Sequence, residues 1–252
     1  MRIIKIILCL AVWLCTAPPA LAIVYPQVAL GGGYETLLIV TNMSNASGGV
    51  QLYLQQGAFQ RWAGSWSVNG TTATGQEFVS FSLGPKETKK LVLRGDSQIR
   101  SGWLELRSCD SVGNCYEPSV ATSLFYNFYS SAGLLLDSTA TPPSEPHNRF
   151  MFNVERTSVI NTGLAIAAGQ LGFQLRFILN DAQGNPIGIK SQTYNGQMAL
   201  FVDQLFSGVP QTLLGSVEVE ADIAIHLVVL RFETTPQGFQ STSVPAVPKP
   251  QL

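Results

Sequence analysis

Apolar and polar side chains alternate along most of this chain, and that period of two constrains its fold more than any other feature. Val50, Leu52 and Leu54 interleave with Gln51, Tyr53 and Gln55. Leu104 and Leu106 interleave with Trp103, Glu105 and Arg107. Phe173, Leu175, Phe177 and Leu179 interleave with Gln174, Arg176, Ile178 and Asn180, and Val217 and Val219 with Ser216, Glu218 and Glu220. Successive side chains of an extended strand point to opposite faces, so each stretch reads as a half-buried strand. Leu37–Val40 and Ile223–Leu230 are apolar throughout, as suits strands covered on both faces. Turn residues separate the runs, among them Asn45–Gly49, Gly84-Pro85, Gly95-Asp96 and Asp181–Pro186. Helical periodicity is almost absent. The expected fold class is all-β, with antiparallel sheets packed as sandwiches.

The first residues follow a different rule. Arg2 and Lys5 precede an uncharged apolar run, Ile6 to Ala17, which is followed by Pro18, Pro19 and Ala20-Leu21-Ala22. A positive start, an apolar middle and a small-residue end make a secretory signal peptide, with cleavage expected after Ala22. As a helix the apolar run would rise only about 18 Å, short of the roughly 30 Å hydrocarbon core. No transmembrane span is therefore expected in the mature protein, and the expected location is the periplasm or the extracellular space. Cys9 and Cys15 leave with the leader. Cys109 and Cys115 remain, separated by turn-forming residues between two strand-like runs. Export permits a disulfide, and this pair is expected to form one. A redox Cys-x-x-Cys and a second pair of metal ligands are both lacking.

The mature chain falls into two parts. Asp137–Arg149 carries three prolines and no apolar rhythm, the composition of a linker. It separates a first β-sandwich over residues 23–136 from a second over 150–245, with a C-terminal tail over 246–252. The halves read as copies. Leu37–Asn42 matches Gly163–Ala168, Val50–Leu54 matches Phe173–Leu179, residues 84–93 match 195–206, and residues 101–108 match 214–221. Hydrophobic runs at Ser123–Phe128 and Ala224–Phe232 close each copy, and the first copy holds a Trp-rich insert around Arg61–Thr74. The expected architecture is two tandem immunoglobulin-like antiparallel sandwiches behind a cleaved signal peptide.

The opening from Ile23 to Asn42, IVYPQVALGGGYETLLIVTN, resembles a segment of secreted bacterial tandem β-sandwich proteins that begin with an FPQ-A-GGGY-T-L-L-TN-like pattern. The later Ser101-Gly102-Trp103 and Gly163-Leu164-Ala165 segments fit the same pattern. The resemblance implies export and a repeated sandwich fold. It brings no activity and no site residues.

Function classes narrow by chemistry. Apolar residues make up 46% and charged residues 12% of the chain, with a formal net charge of -1. That supplies a core but no electrostatic reason to bind nucleic acid or an anionic membrane. Of the two histidines, His147 falls in the Pro-rich stretch and His226 in an apolar strand, so no Ser-His-Asp or Cys-His scheme has its base. No metalloprotease, nucleophile-elbow, phosphate-loop or dinucleotide motif occurs. Gly31-Gly32-Gly33 lacks the Lys-Ser/Thr and helix of a phosphate loop and reads as a turn. No cofactor or metal is implied. Asp181, Asp203, Glu218, Glu220 and Asp222 are the carboxylates a glycosidase would draw on, but by residue type alone. Tyr53, Trp62, Trp66 and Trp103 are the leading binding candidates. Either they form an exposed aromatic patch, or they cover the second face of a sheet or an inter-domain seam. The expected function is a non-catalytic secreted or envelope module for adhesion, surface structure or assembly, with a protein or glycan partner. A carbohydrate-binding module using those aromatics is the alternative, and a carboxylate-dependent hydrolase a third reading.

Overall fold

The computed structural model describes residues 22–57, 60–109, 115–236 and 238–249. The rest of the expected leader and residues 110–114 between the two cysteines lie outside them. The chain is all-β. In chain order the first half contributes β1 (Ile23–Leu30), β2 (Tyr34–Asn42), β3 (Gly48–Gln56), β4 (Gln60–Arg61), β5 (Trp66–Val68) and β6 (Thr71–Thr72). It continues with β7 (Phe78–Leu83), β8 (Thr88–Gly95), β9 (Arg100–Cys109), β10 (Cys115–Tyr116), β11 (Val120–Tyr129) and β12 (Leu135–Thr141). The second half contributes β13 (His147–Arg156), β14 (Ile160–Asp181), β15 (Pro186–Phe201), a one-turn helix α1 (Val202–Leu205), β16 (Leu213–Thr235), β17 (Gly238–Val244) and β18 (Ala246–Pro248).

Two six-stranded antiparallel sheets face each other in the first half. One runs β1-β9-β3-β4, with β10 on β9 and β7 on β3; the other runs β12-β11-β2-β8-β5-β6. Their inward rows meet in one core. Tyr25, Leu52, Leu54, Leu104 and Leu106 come from one sheet, and Leu38, Val40, Leu93 and Leu124 from the other. Leu52, Leu54, Leu104 and Leu106 are residues that alternation assigns to the inside. Gly102 is required on β9, because a Cβ there would collide with the Gln55 carbonyl and the Trp62 ring.

The second half differs from the expected pair of separate sheets. It is one six-stranded sheet, β15-β14-β16-β13-β18 with β17 on β16, wrapped around its own core. Wrapping depends on a corner in β14. Leu164, Ile166 and Ala168 face the core before the corner, and Phe173, Leu175, Phe177 and Leu179 after it, so the inward parity switches from even to odd. Between Ala167 and Leu175 the register against β16 shifts: β14 passes from 167 to 175 while β16 passes only from 226 to 221. Gly172, at φ +72, takes the left-handed backbone inside the bulge. Such bulges bend a strand and re-aim its side chains. The two cores touch, since Leu230 of β16 packs into the first one with Phe232 beside it.

Two expected boundaries are corrected. Most of the Pro-rich stretch is strand: β12 extends to Thr141 and β13 begins at His147, leaving only residues 142–146 irregular. Ser138 and Ala140 are exposed while Thr139 and Thr141 are buried. The alternation is present but made of polar residues, so a hydrophobic pattern does not reveal it. Asp137 also ties the halves together, its carboxylate accepting the Ser241 backbone N–H at 3.0 Å and the Ser241 hydroxyl at 2.5 Å. The expected C-terminal tail is likewise part strand. Ala246–Pro248 pair with Phe152–Phe150 of β13, and a proline is tolerated there because an edge position needs no N–H on its solvent side.

The aromatic surface patch is corrected as well. Trp62 and Trp66 are 4% and 3% exposed and belong to the first core, and Trp103 is 3% exposed. The Gly- and Ser-rich insert folds inward, because β5 pairs with β8 and carries Trp66 and Val68 into the sandwich. The indole N–H of Trp66 is buried without a partner among the described residues. Trp66→Ala is expected to lower unfolding free energy by about 3–5 kcal/mol. Trp66→Phe should cost clearly less, because it also removes an unsatisfied donor. Denaturant melts of both variants check this, and a near-neutral Trp66→Ala would contradict the packing.

Candidate functional site

The alternation on β9 points Leu104 and Leu106 into the first core and Trp103, Glu105 and Arg107 the other way. That second face is covered by the other half of the chain. Trp103 packs with Val24 of β1 and Ala167 of β14 in a small buried cluster. Around this cluster the two halves enclose a cleft of about 810 Å³. Its walls include Glu105 and Arg107 on β9, residues 143–146 of the connection, Ala168–Gln170 of the β14 bulge, and His226 on β16. Ala168–Gln170 fall within the register gap of β14 against both β15 and β16, so this wall presents backbone outside both ladders.

Several polar groups in the cleft are held by neighbours. Glu105 is buried and meets the Arg107 guanidinium at 2.6 Å. Arg107 lies 4.8 Å over the Tyr53 ring, a cation–π contact, and its Nε is buried with no partner among the described residues. The connection is fastened at Ser144. Its backbone N–H donates to the Val24 carbonyl at 2.9 Å, and its hydroxyl accepts the Leu227 N–H at 2.8 Å. The Ser144 carbonyl lies 2.6 Å from His226 Nδ1. A carbonyl can only accept, so Nδ1 carries the proton and Nε2 is the basic nitrogen. Burial pushes the His226 pKa below its usual value. The Ser144 bond and the charges of Glu105 and Glu145 pull it back up, and His147 adds to the lowering.

The other sequence candidates are dispersed. Tyr53 is half-buried on the outer face of the first sheet, donating to Gln51 at 2.8 Å and lying 5.3 Å from the Phe78 ring. The four aromatic candidates thus do not form one surface. Cys109 and Cys115 occupy directly opposed positions of β9 and β10. His147 sits edge-on to Phe150. The carboxylates have structural partners. Glu220 lies between Arg149 and Arg176 at 2.9 and 2.8 Å, Glu218 meets Lys249 at 2.7 Å, and Asp203 meets Arg156 at 3.3 Å. Asp222 accepts the Gln174 N–H, and Asp181 holds its own hairpin turn through the Gln183 and Asn185 N–H groups. The Arg176 hydrogen bond, with the charges of both arginines, holds the Glu220 carboxyl below its usual range, and the Asn185 and Gln183 N–H groups do the same for Asp181. No group of three or more His, Cys, Asp and Glu able to hold a metal ion occurs among the described residues, and no described helix is long and apolar enough to cross a membrane. Sequence reasoning missed the bulge and Ser144. The only trace of the bulge is the run of small residues Ala167-Ala168-Gly169.

No protein-family model and no curated protein matches the chain. Among solved structures, an α-L-rhamnosidase of Streptomyces avermitilis complexed with L-rhamnose aligns with 11% identity and a TM-score of 0.24. The alignment covers 89% of this chain and 27% of that one, so the chain spans about a quarter of that enzyme's length. At that score the likeness carries no argument about activity.

Because the folded pKa of His226 lies below the unfolded value of about 6.5, the unfolded state binds more protons in between. Stability therefore falls as pH drops through that window and is recovered above it. The carboxylates whose pKa values are held down act at lower pH. His226→Gln is expected to flatten the loss of melting temperature between about pH 7 and pH 5. Equal slopes for the two proteins in a thermal melt series would remove His226 from this role.

Proposed function

We propose that this protein is an exported, non-catalytic β-sandwich module of the cell envelope or extracellular space that holds a protein partner in the seam cleft, serving adhesion, surface structure or assembly. The observation that carries this reading is the cleft itself. Both halves build it, over the apolar Trp103–Val24–Ala167 cluster and under a polar rim with bulged backbone at Ala168–Gln170. A mostly apolar floor with a few fixed polar groups is the usual make-up of a binding site. Bulged backbone beside it suits an extended polypeptide, which brings its own N–H and C=O groups.

A glycan is the weaker reading. Stacking on a sugar needs an open ring face, and Trp62, Trp66 and Trp103 are buried. A hydrolase reading needs two free carboxylates facing across a cleft; Glu105 in the cleft is paired with Arg107, and the carboxylates singled out from the sequence are engaged elsewhere as described. The signal peptide expected from residues 1–22 supplies export, and with it an oxidising compartment in which Cys109 and Cys115 join across β9 and β10.

A photo-crosslinking residue at Gln170, on the exposed rim, should yield a discrete protein adduct in envelope preparations of the native host, whereas one at Asn69, on a distant turn, should not. Adducts at neither position, or at both alike, would remove the cleft from the function. A glycan panel should leave tryptophan fluorescence unchanged, and a saturable shift would favour the carbohydrate reading instead. For the cysteines, alkylation of the unfolded, non-reduced mature protein should leave both unmodified. Two alkylated thiols would refute the bridge.

A further inference from the structure

The expected cut in the leader falls inside the seam cleft. Ala22 and Ile23 both line its wall. Ala22 packs against the Val24–Trp103–Ala167 cluster, and Ile23, 8% exposed, belongs to the first core. The ladder fixes the bond between them. Ile23, Val24 and Tyr25 of β1 oppose Leu106, Glu105 and Leu104 of β9. The Val24 carbonyl is turned away from β9, because it accepts the Ser144 N–H at 2.9 Å. Backbone groups of an antiparallel strand alternate in direction, so the Ile23 nitrogen faces the Leu106 carbonyl. Glu105 and Arg107 flank Leu106 on the seam face, and their charged groups meet at 2.6 Å. That contact lies level with Leu106, about one strand spacing, roughly 4.8 Å, from the Ile23 backbone.

Negative charge is in excess around this point. β9 brings Glu105 and Arg107, the β10–β11 connection Glu117, the connection at 142–146 Glu145, and β16 His226, whose pKa burial holds below its usual value. β1, β11 and β14 bring no charged side chain to the cleft wall, and His147 of β13 lies against Phe150. Glu117 and Glu145 are exposed, and neither has an ion-pair partner among the described residues. Three carboxylates thus face one guanidinium.

We propose that the α-ammonium of Ile23, created when the leader is removed, is the cation that completes the cleft: it pairs with Glu105 and fixes the floor on which a partner rests. This rests on the export reading above, with cleavage after Ala22. Hydrolysis of the Ala22–Ile23 amide adds water across the C–N bond. The Ala22 carboxylate departs with the leader, and the Ile23 nitrogen takes up a proton to become an ammonium. An amide nitrogen has a single N–H, which the ladder uses, whereas an ammonium has three. One still serves the Leu106 carbonyl, and the others are free for the Glu105 carboxylate in a charge-assisted bond. An uncut chain would instead leave the cleft through Ala22, with a neutral amide where the cation belongs. A carboxylate beside the ammonium raises its pKa above the ordinary value of about 7.7–8.0. The pair therefore stabilises the fold fully below that value, and the gain is lost as pH rises through the raised one.

The test compares the mature chain starting at Ile23 with one that keeps Leu21 and Ala22 ahead of it. Each is treated with an amine-acylating reagent and the amino-terminal peptide is read by mass spectrometry. At about pH 8 the Ile23 amine should react about tenfold more slowly than the Leu21 amine, the effect of a pKa raised by about one unit. Glu105→Gln should restore most of the reactivity at Ile23 and change nothing at Leu21. In thermal melts the difference between the two chains should move against the Ile23 chain as pH rises from about 7 to about 10. Lysines and tyrosines are common to both chains and cancel in that difference. Equal acylation rates overturn the proposal, as does a melting difference that stays constant with pH. Slow acylation that Glu105→Gln leaves unchanged also overturns it, because burial without an ion pair gives that result. Should Glu105→Gln not fold, the pH profile of acylation on the unaltered Ile23 chain decides, an amine with an ordinary pKa being the overturning result. The intact mass of the protein exported by its native host separates the two readings. A retained leader removes the export reading as well, whereas a leader cut at another bond removes only this inference.

Discussion

A sheet can bury both of its faces only if something outside its own sandwich covers the second one, and for β9 that cover comes from the far half of the chain. Leu104 and Leu106 pack inward against the facing sheet, while Trp103, on the opposite face, is sealed by Val24 and Ala167. β16 does the same in reverse. Leu227 and Val229 belong to the second core, while Leu230 joins the first. Removing one large apolar side chain from water is worth roughly 1.5–3 kcal/mol. A few such residues at the seam, with Asp137–Ser241 and Ser144–Val24 as polar stitches, therefore hold the halves together against independent motion. The cleft inherits its shape from that union, since neither half encloses it alone.

Much of this was legible from the period of two. The inward rows Val50–Leu52–Leu54, Phe173–Leu175–Phe177–Leu179 and Val217–Val219 are core in the fold, because alternation reports which face a side chain takes. What alternation does not report is whether the other face stays wet. Trp103 shows the gap: its side of β9 was readable, but its burial depends on Ala167, far along the chain. Trp62 and Trp66 show a second gap. Their Gly/Ser/Thr-rich setting reads as surface loop, yet both are core, Trp66 because the short strand β5 pairs with β8. Thr139 and Thr141 fail in the opposite sense, as polar residues buried in a strand that looks like a linker. In each case a tertiary partner, and not local propensity, set the outcome.

The repeat between the halves has a similar limit. The matched segments Leu37–Asn42 and Val50–Leu54 lie in separate strands, β2 and β3, whereas their counterparts Gly163–Ala168 and Phe173–Leu179 both lie in β14. The first half then divides its strands between two sheets, whereas the second runs one sheet around a corner. The difference is concentrated in the bulge of β14, where extra residues let a single strand supply both layers of a core. A pattern of hydrophobic faces is the same for two sheets joined by loops and for one sheet that bends. Only the small residues Ala167-Ala168-Gly169 mark where the bend falls.

Corner and cleft are linked by the same residues. A strand that bulges must leave some backbone out of the ladder, and buried backbone groups without partners are costly. At Gly169 and Gln170 the bulge stands at the surface, where water can satisfy those groups, and it is there that the seam opens into the cleft. The geometry that lets the second half close on itself therefore also places free hydrogen-bonding capacity beside a buried apolar floor. Ala167 joins the two roles. It is the last residue before the register shift, and its side chain completes the cluster with Trp103 and Val24. A larger residue there would push on Trp103 and the bulge together, so the binding surface and the union of the halves are coupled through one small side chain.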